Sequence, residues 1–282
     1  MHPFLPTISV PMSVRPRRAG FTLIELLVVA AVIVIMMTLA IPAFNAIRGG
    51  TDFTSEVYDV AGTLDQARAY AVANNTYVLV GIAEVSGAQN SSASPQIAGT
   101  GRITMAIVAS KTGTRPYQSL INSGLLGTWQ TSGYNSTAFV AVTKLMPLQN
   151  IHLVDLQNRG SAPPQSGNMA RPAVAAFYNL SNAAGTSSTQ FAWPLGTLPS
   201  ASNAQYTFAK VIEFDPQGCA RIIYTGNTAS YPDAVPQYLE IGLQPAHGTT
   251  AAGPPASQST NSGQIAAIQI NGISGAVHTY RP

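Results

Sequence analysis

The chain has 282 residues, and charged side chains make up only 9% of it, against roughly a quarter in an ordinary soluble domain. Its net charge of +3 has one source: Arg15, Arg17 and Arg18 precede the first apolar run, and from Gly20 onward eleven basic residues balance eleven acidic ones. That distribution argues against a nucleic-acid-binding face, and a single cysteine, Cys219, excludes an intramolecular disulfide and a CxxC-type zinc site.

The length suits one large domain or two ordinary ones. Gly, Ser, Thr, Asn, Gln and Ala take the place of charge, which suggests a neutral, amide- and hydroxyl-rich exterior facing outside the cytoplasm. Cys219 is expected to be a buried, inert thiol.

In chain order, the first element is the apolar run of residues 21–41, in which Glu25 is the only charge. As a helix it would extend about 31 Å, close to a hydrocarbon core of about 30 Å. It is too long for the apolar region of a secretory signal peptide, and no small-x-small cleavage site follows it before Arg48. The three arginines would hold the N-terminus in the cytoplasm, leaving the rest of the chain outside the cytoplasmic membrane.

Glu25 is the anomaly. A carboxylate deep in a bilayer costs about 2.5–3.5 kcal/mol on insertion scales. Either it lies near enough to the headgroups to stay wet, or it meets a positive partner inside an assembly.

The stretch "GFTLIELLVV" (residues 20–29) resembles the N-terminal signature of type IV pilins and type II secretion pseudopilins. Gly20, Phe21, Thr22, Leu23, Glu25 and Leu26 match the pattern, and Pro42 matches a proline the family often carries near the helix midpoint. The leader, residues 1–20, is longer than usual, and Ala19 stands where the family has a basic residue.

The resemblance implies that a prepilin peptidase cuts after Gly20 and methylates the new amine of Phe21. It also implies that Glu25 pairs with the terminal amine of a neighbouring subunit. Each charge is costly alone in low dielectric and tolerable when paired. The implied partners are the peptidase, other pilin or pseudopilin subunits, the inner-membrane assembly platform and the membrane itself. No cofactor, metal or enzymatic activity is implied.

Pro42 removes a helical hydrogen bond and is expected to kink the helix, with Gly49 and Gly50 loosening it further. Residues 49–75 then read as an amphipathic helix. Phe53, Val57, Val60, Leu64, Ala67 and Ala71 recur at steps of four and three, while Asp52, Glu56, Asp59, Thr63, Gln66 and Tyr70 fill the other side.

From Thr76 the period changes to that of strands. "TYVLVGIA", "RITMAIVA", "TAFVAVT", "AKVIEF", "ARIIYT", "YLEIGL" and "IAAIQI" are β-branched or alternating, and "FDPQG" (residues 214–218) reads as a tight turn. The expected fold is α+β: a long N-terminal helix, half transmembrane (21–48) and half amphipathic (49–75), packed on an antiparallel sheet within a β-rich domain (76–282). This is the pilin fold that the resemblance implies.

"DQARAYAVANNTYVLVGI", "VIEFDPQG" and the closing "IQINGISGAVHTYRP" are similar to the GspH/FimT group of minor pseudopilins. The chain exceeds that group's usual length in three polar, low-complexity loops, the natural place for a special binding task.

Catalytic patterns are lacking. His2, His152, His247 and His278 stand apart in sequence, and no HExxH, GxSxG, P-loop or dinucleotide-binding context occurs. Some major pseudopilins, which the N-terminal stretch resembles, bind calcium in a C-terminal loop, and in the corresponding region here only Asp215 and Asp233 lie. The leading expectation is a structural subunit of a pilus or pseudopilus. The alternative is a signal-anchored binding protein that displays a β-rich domain.

Overall fold

The computed structural model describes residues 23–115, 138–156, 169–175, 178–181, 191–196, 204–223, 235–248, 250–251 and 265–281, with backbone alone for 38–52, 247 and 250–251. The chain divides into two compact units, residues 1–47 and 48–282. One helix, α1 (Leu23–Asn74), contributes to each, and its backbone is helical through Pro42, Gly49 and Gly50.

In the second unit α1 presents Phe53, Val57, Val60, Leu64, Ala67 and Ala71 to the core, all buried. Asp59, Asp65 and Gln66 are exposed and Glu56 is half-buried. Thr63, expected on the polar side, is instead buried. Its hydroxyl donates to the Asp59 carbonyl one turn back at 2.7 Å, which satisfies the polar group locally and lets the side chain enter the core.

The helix ends at Asn75, which adopts a left-handed φ of 48°, while Thr76 N–H closes on the Ala71 carbonyl at 3.1 Å. Asparagine tolerates that conformation better than most residues. Thr76 Oγ1 then donates to the Ser110 carbonyl at 2.9 Å and ties the helix end to the sheet.

The strands are β1 (Val78–Ser86), β2 (Gly101–Ser110), β3 (Phe139–Ala141), β4 (Met146–Leu153), β5 (Phe191–Trp193), β6 (Tyr206–Phe208), β7 (Lys210–Phe214), β8 (Ala220–Ile222), β9 (Tyr238–His247), β10 (Thr250–Ala251), β11 (Ala266–Asn271) and β12 (Val277–Tyr280). Ten form one antiparallel sheet in the order β12-β11-β9-β4-β2-β1-β7-β8, with β3 beside β2 and β10 beside β9. Strands β5 and β6 make a separate two-stranded ribbon. The fold is therefore α+β with an antiparallel sheet.

The sheet is covered on both faces. Val78, Val80 and Ile82 of β1, with Ile103, Met105 and Ile107 of β2, share one core with the apolar side of α1. The alternate residues Leu79, Ala83, Val85, Ala106 and Val108 share another with Phe191, Tyr206 and Phe208 of the ribbon. Strands buried on both faces read as unbroken apolar runs, which accounts for "VLVGIA" and "ITMAIVA".

The turn at residues 214–218 connects β7 and β8. Gly218 takes φ 84° and its N–H donates to the Asp215 carbonyl at 2.8 Å. At the C-terminus Arg281 lies 5.7 Å from the ring centres of both Phe53 and Tyr58 and donates to Thr54 Oγ1 at 3.0 Å. That clamp fastens the last residues to α1.

Candidate functional site

The features with most functional content lie at the start of α1. Every described side chain from 23 to 37 is exposed, and all but Glu25 are apolar. A helix apolar all the way round needs lipid or other helices about it. Among the described residues no helix is long and apolar enough to cross a membrane. Of residues 21–41, side chains are described only for 23–37.

Glu25 occupies the first turn of α1 as described and is exposed. An acid near a helix N-terminus is favoured by the helix dipole. Gly20, Phe21, Arg15, Arg17 and Arg18 lie outside the described residues, and Pro42 is described only as helical backbone.

The folded unit carries further charged groups, which sequence reasoning did not place. Glu240 on β9 is buried and receives both Nε and Nη2 of Arg171, the latter at 2.9 Å, and also Gln269 Nε2 at 2.8 Å. Arg171 Nη2 also donates to the Leu156 carbonyl at 3.0 Å, so the cluster fixes two connecting segments to the sheet. Glu213 on β7, fully buried, meets Arg115 Nε at 2.9 Å and Arg221 Nε at 3.5 Å. These are structural pairs, and neither one brings a nucleophile beside a base.

Asp215 is committed to its turn. Its Oδ1 accepts from Gln217 N–H at 3.0 Å and Cys219 N–H at 2.8 Å, and its Oδ2 accepts from Arg221 at 3.0 Å. Among the described residues no three histidine, cysteine or acidic side chains gather to hold a metal. Asp233 lies outside the described residues.

One expectation needs correction. Cys219 is half-exposed, because it sits in the β7–β8 turn, where its thiol donates to the Ile273 carbonyl at 3.1 Å. Desolvation, followed by the Asp215 carboxylate, pushes the thiol above its ordinary pKa, so it stays protonated and weakly nucleophilic.

His152, isolated in sequence, has a carboxylate beside it in space: its Nδ1 pairs with Glu84 Oε1. The two come from β4 and β1, which flank β2 in the sheet.

Glu84 also lines a cavity of about 440 Å³ together with Ile82, Val85, Ala98, Tyr206 and Lys210. It opens beyond the last β1–β7 pair, Ile82 with Lys210, and before the segment that hydrogen-bonds to the far end of β1 through the Ile97 carbonyl and Gly99 N–H. Burial holds the Lys210 amine below its ordinary pKa, and the Glu84 charge opposes that shift.

In comparison with known families, the profile of the prokaryotic N-terminal methylation motif matches residues 15–41. No curated protein and no solved structure matches the chain significantly. The matched segment contains the three arginines, Gly20, Phe21 and Glu25, and it ends one residue before Pro42.

Proposed function

We propose, from a motif that indicates a type IV pilin-like or pseudopilin precursor, that this chain is a structural subunit built into a pilus or pseudopilus through its N-terminal helix. The motif match is the observation that carries the reading, and the exposed, all-round apolar surface of residues 23–37 supports it.

In this account residues 1–20 are a cytoplasmic leader, removed by cleavage after Gly20, and the amine of Phe21 is methylated. Residues 21–48 hold the precursor in the cytoplasmic membrane, with the β-rich domain on the outer side, and later pack against neighbouring subunits. Pro42 bends this helix. Similarity of the later motifs to the GspH/FimT group supports a minor subunit, either of a type II secretion pseudopilus or of a type IV pilus.

Glu25 has a defined task here. Cleavage creates a cationic amine at Phe21, and Glu25 of one subunit neutralises the amine of the next as helices pack in a medium of low dielectric. The pair would favour assembly and set the axial register between helices. Glu25→Val tests this: peptidase cleavage should persist while incorporation into fibres fails, and normal incorporation would refute the role.

The cavity beside Glu84 and Lys210 favours a second reading, a signal-anchored binding protein that is displayed outside the membrane without entering a fibre. The chemistry of the mature N-terminus separates the two.

A further inference from the structure

The cavity at the end of β7 has features that the fold itself does not require. Its volume of about 440 Å³ falls in the range of small-molecule sites, roughly 300–1,000 Å³. Ile82, Val85, Ala98 and Ala209 give it aliphatic walls, and Glu84 and Lys210 place one charge of each sign in the same space.

Those two charges make no ion pair with each other. The hydrogen bond of Lys210 Nζ among the described residues goes to the Ser181 carbonyl at 3.3 Å, which leaves two ammonium donors turned to other uses. Glu84 is held by His152 through Oε1, and its second oxygen has no protein donor among the described residues. A largely buried ammonium with one hydrogen bond is costly unless something else compensates it. His152 acts as a positioning residue, since its bond to Glu84 fixes the carboxylate at the cavity wall.

We propose that this cavity binds a small zwitterion of amino-acid or dipeptide size, its carboxylate on Lys210 Nζ, its ammonium on Glu84 and an aliphatic side chain against Val85 and Ala98. The ligand's carboxylate would meet the ammonium donors that the Ser181 carbonyl leaves open, and its ammonium the Glu84 oxygen that His152 does not hold. Burial disfavours the charged form of Lys210, and a ligand carboxylate restores it, so the lysine's environment favours this occupant over a neutral one. The inference concerns the folded unit alone and holds whether or not the chain enters a fibre.

The test is calorimetric titration of the full chain in detergent with L-leucine and L-alanyl-L-leucine. N-acetyl-L-leucine, which lacks the ammonium, and L-leucinamide, which lacks the carboxylate, serve as controls. At least one zwitterion should bind saturably, and each blocked analogue at least tenfold more weakly.

Lys210→Met and Glu84→Gln should each weaken binding of that zwitterion tenfold or more. Ala98→Leu, which fills the cavity from an exposed position and leaves both charges in place, should do the same even if a charge variant fails to fold. Blocked analogues that bind as tightly as the zwitterions, unaltered binding in Ala98→Leu, or no saturable heat with either zwitterion would overturn the proposal.

Discussion

Gly81 on β1 leaves the space that the Phe191 ring occupies: a Cβ at Gly81 would lie 2.5 Å from Phe191 Cζ and 2.7 Å from Phe208 Cγ. The two rings stack with centroids 4.7 Å apart, so neither can withdraw without opening the core between sheet and ribbon. Gly81→Val should therefore destabilise the folded unit by about 1–3 kcal/mol or more, the usual cost of overpacking. Chemical denaturation measures it. A midpoint unchanged from the parent would mean that the ribbon is not seated on Gly81.

The Arg171–Glu240 pair predicts an asymmetric response to mutation. Removing one partner leaves a charge in a buried site and costs about 3–5 kcal/mol. Arg171→Leu should show a loss of that size, whereas Arg171→Leu combined with Glu240→Leu should recover part of it. Recovery will be incomplete, because Gln269 also donates to Glu240 and Arg171 also donates to the Leu156 carbonyl. Equal stability of the single variant and the parent would contradict the cost of leaving Glu240 unpaired in a buried site.

Lys210 predicts a pH dependence with a definite sign. Its folded pKa lies below the ordinary 10.5 because burial penalises the charge. The unfolded chain therefore binds this proton more tightly, and the penalty is fully present below the folded pKa. It is relieved as pH rises from there toward 10.5. Lys210→Met should accordingly raise the melting temperature at pH 7, less the lost bond to the Ser181 carbonyl. The advantage over the parent should narrow on approach to pH 10.5. A widening gap would contradict the sign.

These relationships differ in how far they could be read from the chain. The stripe from Phe53 to Ala71 and the runs that became β1, β2, β7, β9 and β11 were legible because helix and strand periodicity are local properties. Strand β4 escaped notice because "MPLQNIHL" contains a proline and few β-branched residues, and Asn150 takes a left-handed φ of 57° within it. The ribbon consists of "FAW" and "YTF", too short to show a period, and only the packing of its rings on Gly81 makes it an element.

Long-range chemistry was hidden for the same reason. Arg171 and Glu240 are 69 positions apart, and His152 and Glu84 are 68 apart, so no spacing rule joins them. The cavity draws its lining from three separate stretches of chain, near Glu84, Gln96 and Lys210. The methylation motif is the opposite case. A peptidase reads a linear segment before the domain matters, so residues 15–41 carry their signal without the fold.

The central claim is that Phe21 becomes the first residue of the mature subunit and that its new amine is the partner of Glu25. Intact-mass and N-terminal fragment spectrometry of the chain, produced together with a prepilin peptidase, tests it most directly. The account predicts a mature chain that lacks residues 1–20 and begins with N-methyl-Phe21. A chain that still carries Met1–Gly20 under those conditions would contradict it.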